Sequence, residues 1–135
     1  MPVKNYDPKD VNVVVDGSNL TGIADGTFVT ASQNEDNFVP YVGAKGEITR
    51  AHNADKTGSV SVTLKRTSPS NAKLSALAAS GEIVSVRVVD VNDNVTSVGG
   101  SNAWVVKPAD YGAGEETPEV EWEFFIADYQ QYTID

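Results

Sequence analysis

The 135-residue chain has no cysteine, a single histidine, and no basic residue from Asp110 to its C-terminus. Without cysteine there are no disulfides and no thiolate chemistry, which fits a reducing compartment or a particle assembled in one. With His52 as the only histidine, a multi-histidine metal site is excluded, and a surface or loop role is expected for it. No segment reaches the length of a membrane span, so no membrane partner is expected, and the opening MPVKNYDPKD lacks the apolar run of a signal peptide. The expectation is a chain of cytosolic origin. Repeats and low-complexity segments are absent as well.

What is present is ordinary for a globular protein. Hydrophobic residues make up 40% and charged residues 21%, enough for one domain with its own core. The net charge of −9 is unevenly spread: seven of the ten basic residues lie between Lys45 and Arg87. An acidic chain repels a phosphate backbone, so ordinary nucleic-acid binding is disfavoured, though a surface that nucleic acid slides past is not.

Period-two patterns dominate. VNVVVDG predicts a strand with Val11, Val13 and Val15 on one face, stopped by an Asp16-Gly17 turn, and Asp25-Gly26 marks a second turn. Residues 28–33 read as another strand. Residues 34–58 mix short apolar pieces with Pro40, Gly43 and Gly46; a strand is expected at 47–52 inside a long excursion of the kind that is often functional. GSVSVTLK (58–65) is the clearest strand, with Val60, Val62 and Leu64 on one face and Ser59, Ser61, Thr63 and Lys65 on the other. TSPSN then ends it. Ser68 suits an N-cap, Pro69 a first helical position and Gly81 a C-terminal stop, predicting a helix over 69–80 with Leu74 and Leu77 inward. Further strands are expected at 83–90, 95–98 and 103–107, with a loop over 109–118. EVEWEFFIA closes the series, with Val120, Trp122, Phe124 and Ile126 opposite Glu119, Glu121, Glu123 and Phe125. The predicted class is mainly β: an antiparallel sandwich or barrel with one short flanking helix.

Catalytic constellations are lacking. DVNDN (90–94) begins like a calcium loop, but Val95 stands where glycine is needed and Ser101 where a bidentate glutamate is needed, so a turn is expected. Ser68 has no histidine to activate it. The alternating glutamates read as a solvated face, although like charges at i and i+2 repel and a one-signed face is unusual. No cofactor is implied, and enzymatic activity is not expected. One alternative is a non-enzymatic β-sandwich that recognises sugar or protein, with Trp104, Tyr41, Tyr111, Tyr129 and Tyr132 as its aromatic supply.

An ordered series of motifs over roughly the first 80 residues carries a resemblance. DVNVVVDG and IADGTFV precede NEDNF, then GAKGEITR (43–50), Asp55, and a Thr-Gly before the alternating strand. TSPSN (67–71) then opens a helix holding Leu74 and Leu77. This series resembles the tail tube proteins of contractile-tailed bacteriophages, and the closing EVEWEFF is similar too. The resemblance implies a single tail-tube domain over 1–135 whose copies form hexameric rings, their strands joined into one barrel around a lumen, with rings stacked into a tube. It implies further partners: the tail sheath, tape measure, baseplate and tail terminator proteins, with DNA passing through the lumen without specific binding. The virion tail, assembled in the cytoplasm of a bacterial host, is the implied location. Ser59, Ser61, Thr63, Glu121 and Glu123 are then candidates for the lumen wall. Tyr41, Lys45, Glu47, Arg50 and Lys56 are candidates for an arm, at about 34–58, that reaches a neighbouring subunit.

Overall fold

A computed structural model describes residues 3, 6–24, 26–92, 95–114 and 118–134. Its elements are β1 (Val11–Val15), β2 (Ser18–Asn19), β3 (Val29–Gln33), β4 (Phe38–Val42), β5 (Ile48–His52), β6 (Gly58–Lys65), α1 (Ser70–Ser80), β7 (Val84–Asp90), β8 (Val95–Val105), β9 (Glu119–Ile126) and β10 (Gln130–Ile134). The main sheet runs β2-β1-β7-β8-β9-β6-β3, with β10 also on β8, and every pairing is antiparallel. β4 and β5 form a separate hairpin. The chain is thus mainly β with one helix, as the alternation predicts. Among the described residues the main sheet does not close on itself; β2 and β3 are its ends.

Alternation places the core. On β6 the side chains of Val60, Val62 and Leu64 are fully buried, and on β9 Trp122, Phe124 and Ile126 point the same way. These meet Val13, Val15, Val86 and Val88 from β1 and β7 in one contiguous cluster, so the sheet folds over and both halves share a core. Each large side chain buried this way contributes about 1.5–3 kcal/mol.

Helix α1 covers this core with Leu74 and Leu77. Its first residue is Ser70, one position later than predicted, with Pro69 already at φ −66°. The N-cap is Pro69 rather than Ser68 and makes no side-chain cap bond; the Ser68 hydroxyl accepts the Ser70 N–H at 3.2 Å and donates to the Thr21 carbonyl at 2.5 Å, which pins the start of the helix to the β2–β3 connection. Gly81 ends the helix at φ +69°, donating to the Leu77 carbonyl. Asn71 fastens α1 to two strands. Its amide donates to the Lys65 carbonyl, and its Oδ1 accepts from Trp122 Nε1, both at 2.9 Å.

The two pieces expected at 95–98 and 103–107 are one strand, β8, which turns a corner at residues 99–102. Against β7 the register slips by one residue there, a β-bulge that bends the strand. Gly99 takes φ +139°, and a Cβ on it would strike the Val86 carbonyl. Inward-facing parity changes across the corner, from Val98 to Ala103 and Val105. Opposite, β9 and β10 stay in a single register with β8, Val105 facing Phe124 and Gly99 facing Gln130. At the break between them the Asp128 carboxylate stands in for main-chain partners, accepting Ser101 N–H at 3.1 Å and Asn102 N–H at 2.9 Å. Burial would push Asp128 up, but these N–H groups, with the charge of Arg87 nearby, outweigh it and hold the carboxyl below its ordinary range.

β4, β10 and the short β2 escape the sequence reading. The Asp16-Gly17 turn does join β1 to β2, with positive φ at both residues. Asp25, and residues 93, 94 and 115–117 of the expected turn and loop, lie outside the described residues.

Candidate functional site

β6 and β9 lie side by side, and their outward residues form one face. In register, Ser59 faces Phe125, Ser61 faces Glu123, Thr63 faces Glu121 and Lys65 faces Glu119. The five residues singled out as wall candidates are therefore brought together: three small hydroxyls, half-buried, beside two exposed carboxylates. Neighbouring strands extend the face with small or apolar groups. Thr30 and Ser32 of β3 stand opposite Ser61 and Ser59. Trp104 of β8 stacks on Phe125 with ring centroids 5.0 Å apart. The residue after β8, Val106, donates its N–H to the Glu123 carbonyl. Trp104 and Val106 escape the sequence reading, because their place on this face depends on the β8–β9 register. Beside the glutamates runs a groove of about 370 Å³, lined by Glu119, Glu121, Glu123 and Asp110 with Lys107 and Pro108. Acidic groups outnumber basic ones here, with Lys65 and Lys107 beside Glu119, Glu121, Glu123 and Asp110.

The arm candidates belong to a second element. Residues 34–58 hold the β4–β5 hairpin: Phe38 faces His52, Pro40 faces Arg50 and Val42 faces Ile48. Its exposed apolar residues include Tyr41 (72% exposed) and Ile48 (73%). Lys45 sits in the tip turn, where Gly43 and Glu47 are joined by a 2.7 Å main-chain bond. The Arg50 guanidinium lies 3.9 Å over the Phe38 ring, whose other neighbour is His52 at 4.7 Å. Lys56 is at the hairpin's base, where its carbonyl accepts the Tyr129 N–H. The base itself is firmly built. Asn34 N–H reaches the Thr57 carbonyl at 2.9 Å, and Asp55 accepts the Thr57 hydroxyl and N–H, which hold its carboxyl below the ordinary range. The buried Tyr129 ring lies against Gly58, leaving no room for a Cβ there.

Other sequence candidates resolve into structure. Asp90 Oδ1 accepts the Asn92 N–H at 2.9 Å in an Asx-type turn, and Asn92 exchanges two hydrogen bonds with the Asp7 backbone, tying down the N-terminal segment. Among the described residues no three potential ligands are placed to hold a metal ion. The five aromatics of the sugar-binding alternative are dispersed. Tyr129 is buried at the corner, Trp104 stacks on Phe125, and Tyr111 lies under Arg66.

Among solved structures, the chain is similar to a chain in the virion of a native gene transfer agent particle, with a TM-score of 0.67 at 14% identity, covering 97% of this chain and 100% of that one. It is also similar to the tube-terminating cap of the anti-feeding prophage, with a TM-score of 0.58 at 11% identity over 99% of this chain and 95% of the other. These likenesses concern the fold. Comparison with curated protein sequences gave no match. Among protein families, the model of the bacteriophage PhiTE tail tube protein matches residues 11–132. With residues 11–132 matched by this model, the protein belongs to this family of phage tail tube proteins and is a structural component of the virion.

Proposed function

We propose that the protein forms hexameric rings, stacked into a tube whose lumen is walled by the β3-β6-β9 face and conducts the phage genome during ejection. The observation that carries this reading is the pairing of Ser61 with Glu123 and Thr63 with Glu121. Repeated around each ring and along the stack, it gives a wall of small hydroxyls and carboxylates. Lysine or arginine on a wall captures phosphates by releasing their counterions. Carboxylates repel them and leave DNA mobile.

The β4–β5 hairpin is the inter-subunit arm in this reading. A two-stranded hairpin alone is marginally stable in water and needs a surface to pack on. Tyr41 and Ile48 offer apolar contact. Lys45, Arg50 and Lys56 offer positive charge to a neighbour of a chain whose net charge is −9. In an intact tail the tube would be enclosed by a contractile sheath and joined to tape measure, baseplate and terminator proteins, after assembly in the host cytoplasm. Negative-stain electron microscopy of the purified protein tests the core of the proposal: stacked rings support it, and a strictly monomeric protein at high concentration overturns it.

A further inference from the structure

We infer that the acidic face carries an apolar docking row, Trp104, Phe125 and Val106, that holds a basic, amphipathic helix inside the lumen. The inference rests on the tube reading and names the chemistry of one lumen occupant.

Across β8, β9, β6 and β3 the face is sorted into cross-strand rows. One row reads Trp104, Phe125, Ser59, Ser32. The next reads Val106, Glu123, Ser61, Thr30, with Val106 placed by its N–H bond to the Glu123 carbonyl. Beyond it stand Glu121 with Thr63, and then Glu119 with Lys65. Successive rows are two residues apart, about 7 Å along a strand. Apolar surface is therefore gathered at one end of the face and charge at the other. Lys65 and Lys107 both stand at the glutamate end.

The two rings are not part of the core. Inward positions on β9 are taken by Trp122, Phe124 and Ile126, and those on the end of β8 by Ala103 and Val105, all buried. Trp104 and Phe125 point the other way and are half-buried, their ring centroids 5.0 Å apart and their planes inclined at 31°. Val106 is 45% exposed. A wall that only lets a polyanion slide past needs small hydroxyls and carboxylates, such as Ser61 and Glu123 one row away. Aromatic and aliphatic surface left in water gains instead by being covered with other apolar surface.

Charge complementarity selects the occupant. A duplex presents phosphates, which Glu121 and Glu123 repel. Single strands stack their bases on aromatic rings but need a basic track beside them, and none of the four residues in the aromatic row is a cation. A polypeptide helix satisfies both ends of the face. Its apolar stripe covers Trp104, Phe125 and Val106, and lysine or arginine flanking that stripe meets Glu123 and Glu121, within three helical turns. Repeated around a ring, the row becomes a band, and a long helix meets one band per ring.

Of the two tryptophans in the chain, Trp122 is buried, so Trp122→Phe leaves Trp104 as the reporter. This variant is to be assembled, checked for rings by microscopy, and titrated with a helical peptide of about 18 residues, a leucine stripe flanked by lysines. Trp104 emission should move to shorter wavelength as the peptide covers the ring. Phe125→Ser and Val106→Ser in the same background should each weaken binding at least about tenfold, the loss expected for one large apolar contact. Tyr132→Ser, on β10 beside the other end of β8, should leave binding unchanged. The exposed position of Val106 keeps the test open if Phe125→Ser fails to fold. Rings that show no emission shift, or equal affinity in all variants, would overturn the docking row and leave the tube reading standing. A larger shift with oligothymidylate than with the peptide would overturn the polypeptide assignment in favour of base stacking. Absence of rings from the wild-type protein would overturn the tube reading, and the lumen placement with it.

Discussion

Ser61 and Glu123 stand directly opposite one another on adjacent strands, a small hydroxyl beside an exposed carboxylate. The space beside the hydroxyl makes charge reversal sterically easy. Glu121→Lys with Glu123→Lys should fold and assemble, with a stability change within about 0.5 kcal/mol, the usual range for surface substitutions. Ejection of DNA from particles carrying the double variant should slow, most severely at low salt, where screening is weak. Ejection kinetics identical to wild type at every salt concentration would remove the wall-charge account.

Asp128 holds two otherwise unpaired N–H groups at the β8 corner. Asp128→Ala should destabilise the subunit by roughly 0.5–1.5 kcal/mol, the net worth of an ordinary hydrogen bond, because water reaches the exposed Ser101 and Asn102 once the carboxylate is gone; the readout is a lower urea midpoint. The pH dependence has a defined sign. The folded pKa is lowered, so the carboxylate's contribution is fully present above the unfolded value of about 3.9 and is lost as pH falls through the folded value. The gap in midpoint between wild type and Asp128→Asn should therefore be largest near neutrality and shrink below about pH 4. A gap that stays constant into acid would mean that charge plays no part.

Helix docking should respond to two substitutions of different kinds. Leu74→Ala leaves a cavity at a fully buried position and should cost about 2–5 kcal/mol. Trp122→Phe keeps most of the apolar bulk but forfeits the bond to Asn71, and should cost about 1 kcal/mol. Urea unfolding of both variants under conditions where the protein is monomeric separates the two effects.

On the hairpin, Arg50 differs from the lysines because its guanidinium is already held over Phe38. A planar, pre-positioned cation can grip a neighbour's carboxylate with two parallel hydrogen bonds. Arg50→Ala should weaken polymerisation more than Lys45→Ala or Lys56→Ala, by up to roughly 3–5 kcal/mol if the pair is desolvated, against ~0–1 for exposed charges. Replacing 37–53 with a short glycine-serine turn should leave a folded subunit, because Asn34 and Thr57 close the base, but should stop tube growth. Sedimentation of assembled material measures both, and equal sedimentation for all these variants would show the hairpin to be idle.

The legible parts of the fold are those where burial is one-sided. β6 and β9 alternate cleanly because one face meets the core and the other meets solvent, and both their limits and their inward residues follow from the pattern. β4 and β10 are almost wholly exposed, so no burial pattern is written into them, and Pro40 inside β4 speaks against a strand; β5, equally exposed, lies within one residue of the strand expected at 47–52. The Gly99-Gly100 pair reads as a break, whereas it lets a continuous strand bend. That Ser59, Ser61, Thr63, Glu121 and Glu123 share the outward face follows from the same alternation. Their pairing partners, and the places of Trp104 and Asp128, depend on register between strands distant in sequence, which no local pattern encodes.

The unbroken register of β8 against β9 and β10 has a mechanical consequence. Because one strand runs through the corner and belongs to both halves of the folded sheet, no seam separates them. A force along β8 loads its cross-strand bonds together in shear rather than parting them one after another like a zipper. The Asp128 clamp sits where such a zipper would otherwise start.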